Sequence, residues 1–134
     1  MAFLVSDLDQ ELEYIEYTNN TLSSVDKSIV DGYLNEGQKV VRRTMMKTRT
    51  LTSILDQCNA PSQIDFLSID AEEHDFNVLK SLDLQKYSPK LIIMELEDFV
   101  PANPSSHPVY IYLIERGYEY AGFVLKNCYF LRVK

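Results

Sequence analysis

Residues 64–75 read Ile64-Asp65-Phe66-Leu67-Ser68-Ile69-Asp70-Ala71-Glu72-Glu73-His74-Asp75, and the reading of this stretch decides the fold. Ile64 to Ile69 is a short, mostly apolar run of strand length that ends on Asp70. Asp75 to Leu82 follows with Phe76, Leu79 and Leu82 at helical spacing. Tyr87-Ser88-Pro89 breaks the chain. Lys90 to Leu96 is then a second apolar run, closing on Glu95, Leu96 and Glu97. Leu91-Ile92-Ile93-Met94 suits a strand covered on both faces, as in a parallel sheet. Strand, helix, strand in that order predicts an α/β unit with a right-handed crossover.

Downstream, Pro101, Pro104 and Pro108 mark a loop. Pro108 suits the first turn of a helix through Arg116, and Gly117 suits its stop. Two strands, Glu119–Val124 and Tyr129–Val133, close the chain with Asn127 in their turn. Upstream, residues 3–17 read as strand, turn, strand, with the turn at Asp7-Leu8-Asp9. A helix is predicted from Ser24 to Glu36, where Val25, Ile29, Val30, Tyr33 and Leu34 recur at helical spacing before Gly37. Residues 38–48 look extended, and Thr50 or Thr52 can cap a short helix through Leu55 that buries Ile54 and Leu55. The fold class is therefore α/β, mostly parallel, with a C-terminal antiparallel hairpin at one edge.

A length of 134 residues fits one domain, and a hydrophobic fraction of 46% argues against wholesale disorder. The formal net charge of −7 disfavours nucleic acid and anionic membranes as partners, since phosphate backbones are bound through Lys and Arg. One basic cluster, Lys39, Arg42, Arg43, Lys47 and Arg49, is interspersed with Val40, Val41, Met45 and Met46, so a solvated strand face is favoured over an anion-binding patch. No apolar run approaches the roughly 20 residues of a membrane span. The opening MAFLVSDLDQ has no basic leader, and a soluble cytoplasmic chain is expected. Cys58 and Cys128 form no CxxC pair and are expected to be free structural thiols.

The chemistry concentrates at the end of the strand 64–69. In open α/β sheets ligands bind at the carboxyl ends of the strands, where Asp70, Glu72, Glu73, His74 and Asp75 gather. Carboxylates at a helix start are also favoured by the helix dipole, which is the plain structural explanation for Glu72, Glu73 and Asp75. Asp70 leans toward function because its strand reads as buried. Asp70, Glu72 and His74 could alternatively hold a divalent metal, although their spacing matches no strong metal motif. His107, just before Pro108, is read as a capping or surface residue rather than a base. Tyr110, Tyr112, Tyr118 and Tyr120 are read as core and sheet-face aromatics.

The segment IDFLSIDAEEHDFNVLKSLDLQKYSPKLIIMELE resembles the later half of FkbM-type S-adenosylmethionine-dependent methyltransferases. In that family a strand ends in Asp-x-Glu-Gly, a helix carries Val-Leu, and Pro-Lys precedes an apolar strand ending in Glu. Asp70, Glu72, Val78, Leu79, Pro89, Lys90 and Glu95 match as they stand. Thr50-Leu51 with Ile54-Leu55, Val5-Ser6-Asp7, Gly117-Tyr118 and the closing YFLRVK extend the likeness over nearly the whole chain. The resemblance implies a Rossmann-like sheet of order 3-2-1-4-5-7-6, with S-adenosylmethionine as cofactor and methyl transfer to a hydroxyl of a small molecule or sugar. Asp70, Glu72 and Glu95 are the catalytic candidates, because they end adjacent strands or enter the adjoining loop and could orient or deprotonate the acceptor; Glu95 reads equally as a solvated strand end.

Two departures stand out. Glu73 occupies the position where the family has glycine. In addition, none of the four glycines, Gly32, Gly37, Gly117 and Gly122, forms the G-x-G loop that would hold the cofactor after a first strand. On this reading the chain lacks strands 1 and 2, leaving strand 64–69 with an open edge, so the chain is expected to dimerise, to repack its first strands against that edge, or to need a partner chain. A non-catalytic remnant or assembly module on the same scaffold is the competing reading, and a metal-dependent hydrolase using Asp70, Glu72 and His74 is a third.

Overall fold

The computed structural model describes residues 4–18, 37–71 and 74–133. Its elements in chain order are β1 (Leu4–Val5), β2 (Glu11–Tyr17), β3 (Val40–Arg49), α1 (Leu51–Gln57), β4 (Gln63–Ile69) and α2 (Asp75–Lys80). Then come β5 (Ser88–Glu95), a 3-10 turn at Pro104–Ser106, α3 (Pro108–Ile114), β6 (Tyr118–Val124) and β7 (Asn127–Arg132). The helix predicted over 24–36 lies outside the described residues.

Four strands form one sheet in the order β4-β5-β7-β6. This is the 4-5-7-6 portion of the order implied by the resemblance. The pair β4–β5 is parallel, with Gln63 opposite Ser88 and Ile69 opposite Met94. β7 lies between β5 and β6, antiparallel to both. A second sheet has the order β1-β3-β2, parallel between β1 and β3 and antiparallel between β2 and β3.

Both sheets are therefore mixed, which corrects the mostly parallel arrangement expected. Beyond the expected C-terminal hairpin, the antiparallel pairs are β5–β7 and β2–β3. β6 returns directly into β7 through a two-residue turn, and two-residue turns join only antiparallel strands. That turn is Leu125-Lys126, both at positive φ (48° and 70°), and not Asn127, which is the first residue of β7. Positive φ at both central positions gives the backbone twist that two-residue hairpins require.

One face of the four-stranded sheet carries the core. Ile69, Ile92, Met94, Cys128, Phe130 and Tyr118 are buried there. Leu79, Leu82 and Leu84 from α2 and the turn after it, and Val109 and Leu113 from α3, pack into the same cluster. The other face is not covered to the same degree. Phe66 is 62% exposed and Leu131 46%, while Leu91 and Ile93 are half-buried. Leu91-Ile92-Ile93-Met94 was expected to be covered on both faces, and only Ile92 and Met94 are fully buried. An apolar run alone cannot distinguish these cases, because both faces of such a strand have the same composition.

The helix boundaries follow their punctuation. Thr50 caps α1, accepting the backbone N–H of Ser53 at 3.1 Å. Thr52 instead donates its hydroxyl to Ser81 O at 2.8 Å, tying α1 to the end of α2. Ile54 and Leu55 are only half-buried, not buried as expected, because α1 lies at the margin of the core. Pro108 opens α3, and Gly117 stops it at φ +83°, a left-handed conformation that L side chains rarely adopt. The phenol of Tyr118, at the start of β6, donates to Pro89 O at 2.8 Å, linking β6 to β5 across the end of β7.

Candidate functional site at the carboxyl edge of the sheet

Asp70 and Glu95 directly follow the last paired residues of β4 and β5, Ile69 and Met94. Continuing that parallel register sets Asp70 beside Glu95, on strands about 4.8 Å apart. Strand alternation turns both side chains toward the face that carries Phe66, Ser68, Leu91 and Ile93, away from buried Ile69 and Met94. Asp70 is exposed and Glu95 half-buried. On the other side of Glu95, its register partner on β7 is Asn127.

Among the described residues no lysine or arginine bridges Asp70 or Glu95. Lys126 pairs with Glu97 at 2.6 Å. The Lys126 ammonium is held above its ordinary range, chiefly by that hydrogen bond to Glu97, with the charge of Glu95 adding a smaller push. Two neighbouring carboxylates and an amide thus rim an apolar shelf. Such an arrangement can accept hydrogen bonds from a hydroxyl or a cation.

The remaining acidic residues divide differently. Asp75 is buried, and its Oδ1 accepts the backbone N–H of Ala71 at 2.9 Å, closing the loop from β4 into α2. That hydrogen bond gives Asp75 a structural task beyond the helix-dipole placement expected of it. Glu72 and Glu73 lie outside the described residues. His74 Nε2 is 3.1 Å from Ser6 Oγ, and its Nδ1 is 3.3 Å from the Asn77 side-chain amide. The ring therefore ties the strand β1 region to α2. Among the described residues no three His, Cys, Asp or Glu side chains cluster as metal ligands would.

His107 caps α3. Its Nδ1 accepts the backbone N–H of Val109 at 3.2 Å, which leaves the ring proton on Nε2, 3.1 Å from Asp98 Oδ1. Both nitrogens are engaged, so the ring has no lone pair to offer a substrate. Sequence reasoning missed Asp98 as its partner and Asn127 as the neighbour of Glu95. The Glu95–Asn127 neighbourhood depends on long-range register, whereas Asp98 reaches His107 from nine residues upstream through the fold of the intervening proline loop. A cavity of about 820 Å³ opens elsewhere, lined by Thr52, Lys80, Asp83, Arg116, Gly117 and Arg132. These residues lie at the start of α1, at or just beyond the ends of α2 and α3, and at the end of β7, and none of them is at the carboxyl end of β4 or β5.

The model of the methyltransferase FkbM domain matches residues 2–120. The chain belongs to the FkbM methyltransferase family. No curated protein and no solved structure matches it. In this FkbM chain the strand and helix elements that carry the likeness, β4, α2 and β5, are those that deliver Asp70 and Glu95 to one edge.

S-adenosylmethionine is the cofactor that FkbM membership implies, and the described glycines do not build a cradle for it. A Cβ added at Gly37 or Gly122 would meet nothing within 4 Å, so neither backbone is held against a ligand wall. Gly117 serves as the stop of α3. In the basic cluster of this FkbM chain Lys39, Arg42, Arg43 and Lys47 are exposed, Arg42 and Arg43 on opposite faces of β3, while Arg49 is half-buried and donates to Ser53 O. Across the β2–β3 ladder Lys47 stands opposite Glu11 and Arg42 opposite Glu16, and Arg43 pairs with Glu13 at 2.9 Å. Cys128 is fully buried, and that burial pushes its thiol up to about 12, far from a reactive thiolate. Cys58 is exposed, and both cysteines are free. No helix among the described residues is long and apolar enough to cross a membrane.

Proposed function

We propose that this chain supplies the acceptor side of an S-adenosylmethionine-dependent O-methyltransferase acting in the cytoplasm on a hydroxyl of a small molecule or sugar. The observation that carries the reading is the juxtaposition of Asp70 and Glu95 at the carboxyl ends of two adjacent parallel strands in an FkbM chain. A carboxylate within hydrogen-bond reach of a hydroxyl fixes its direction and takes its proton as the oxygen becomes a nucleophile. The apolar shelf of Leu91, Ile93 and Phe66 excludes water from one side of such an acceptor. Glu72 joins the two by resemblance as a third acidic candidate. When bound, S-adenosylmethionine supplies an electrophilic methyl group. Holding the acceptor in line is the protein's contribution, and positioning of this kind accounts for much of the rate in such transfers.

Calorimetric titration with S-adenosylmethionine and S-adenosylhomocysteine tests the reading. Micromolar binding supports methyl transfer. Silence supports a second reading, a non-catalytic scaffold, which the open surroundings of Gly37 and Gly122 favour.

A further inference from the structure

The cavity of about 820 Å³ takes three cations and three carboxylates into its lining, and they are not equivalent. Lys80 pairs with Asp7 at 3.3 Å. Asp83 accepts the backbone N–H groups of Gln85 and Lys86 through Oδ1, which holds the turn after α2. Glu115 stands 3.8 Å from Arg116, beyond hydrogen-bond reach, and its side chain is 68% exposed. Arg132 has no carboxylate partner among the described residues. It is half-buried, and among the described residues only its Nη1 is engaged, by the neutral acceptors Leu84 O at 3.4 Å and the Tyr118 hydroxyl at 3.5 Å. Withdrawing a charge from water without a counter-charge is costly, and an anion arriving in the cavity removes that cost.

A second arginine stands beside it. Val133 N–H donates to Gly117 O at 2.9 Å, and Arg132 is the register partner of Tyr118, so residues 116–118 and 132–133 run side by side. Arg116 lies over the Tyr112 ring, its Cζ 3.6 Å from the centroid, and its Nη1 donates to Tyr112 O at 3.0 Å. Stacking occupies a face of the guanidinium and leaves edge N–H groups for an oxyanion. We propose that this cavity binds a small organic phosphomonoester, with its phosphate held between Arg132 and Arg116. A phosphate dianion matches two guanidiniums, each of which engages its oxygens in pairs, whereas a carboxylate carries one charge and is satisfied by one. The cavity is far larger than a phosphate, since a water molecule takes about 30 Å³. Tyr112, Leu82 and Leu84 in its lining give the organic part an apolar wall. The net charge of −7 repels anions at long range, so the ligand is held by these two side chains and not by the field of the whole chain.

Amide NMR of the full chain titrated with phenyl phosphate tests the site, with benzoate and inorganic phosphate as parallel titrations. The expected result is a set of saturable shifts at residues 82–85, 115–118 and 132–133 with a submillimolar Kd for phenyl phosphate, and binding weaker by roughly tenfold or more for the other two. Arg132→Gln weakens phenyl phosphate binding by roughly tenfold or more. Lys47→Gln, at an exposed position on β3, leaves it unchanged. Should Arg132→Gln fail to fold, Arg116→Gln decides, because Arg116 is exposed and its loss is expected to weaken binding in the same way. No saturable shift at millimolar phenyl phosphate, shifts that fall outside these segments, benzoate or inorganic phosphate bound as tightly, or binding indifferent to both arginine variants overturns the proposal.

Discussion

Removing one oxygen atom, in Tyr118→Phe, probes how the C-terminal hairpin is tied to the rest of the sheet. Tyr118 is 1% exposed, and its hydroxyl donates to the Pro89 carbonyl at 2.8 Å, with Arg132 Nη1 3.5 Å away. The ring stays in place, so no cavity of consequence forms. The loss is the hydrogen bond, about 0.5–1.5 kcal/mol net, plus part of the cost of leaving a buried carbonyl without its donor, together about 1–3 kcal/mol. For a chain of this size that is a fall in Tm of about 4–11 °C. Urea unfolding should show a lower midpoint with an unchanged slope. Burial holds the Tyr118 phenol above its ordinary value of 10.0. Its protonated form is therefore favoured by folding, and that contribution is present below pH 10 and lost as pH rises further. The difference between the two proteins should accordingly narrow above pH 10. A loss below about 0.3 kcal/mol, or one that grows with alkaline pH, refutes the reasoning, since either means the hydroxyl is not a buried donor.

Other outcomes follow from the same structure. The Cys128 thiol is pushed from 9.0 to about 12 by burial, so the unfolded chain releases its proton first as pH rises. Stability should therefore fall between pH 9 and 12, and Cys128→Ala should lessen the slope of unfolding free energy against pH by up to one proton in that window. At the β6–β7 turn, Leu125 and Lys126 hold a left-handed backbone. Leu125→Asn with Lys126→Gly should raise stability by about 1 kcal/mol, read as a higher urea midpoint. Thr50→Ala should lower it by about 0.5–2 kcal/mol through the lost cap on Ser53 N–H, with the start of α1 exchanging faster by NMR.

Much of this architecture is legible in the chain because the informative residues act locally. The apolar runs 64–69 and 90–96 each end on an acid, and an α/β alternation then forces Asp70 and Glu95 to one edge. Pro108 and Gly117 bracket α3 for reasons of φ alone. Thr50 announces its helix by its hydroxyl. What stayed hidden depends on distant pairing. The β1–β3 contact joins Val5 to Arg49, and β7 slides between β5 and β6 to bring Asn127 beside Glu95. Neither leaves a trace in a window of sequence. The turn at Leu125-Lys126 was hidden for the opposite reason, since the residues that favour positive φ, Asn and Gly, are not at those positions. The exposed face of Phe66 and Leu131 was obscured because a strand half-covered and a strand wholly covered are both written in apolar residues.

The most direct measurement of the acceptor-site claim is transfer of a labelled methyl group from S-adenosylmethionine to a panel of hydroxyl compounds by the unmodified chain, Asp70→Asn and Glu95→Gln. Wherever the unmodified chain transfers a methyl group, the account expects kcat about 100-fold or more lower in each variant, with affinity for S-adenosylhomocysteine unchanged. Variants that transfer methyl groups at the unmodified rate would contradict it.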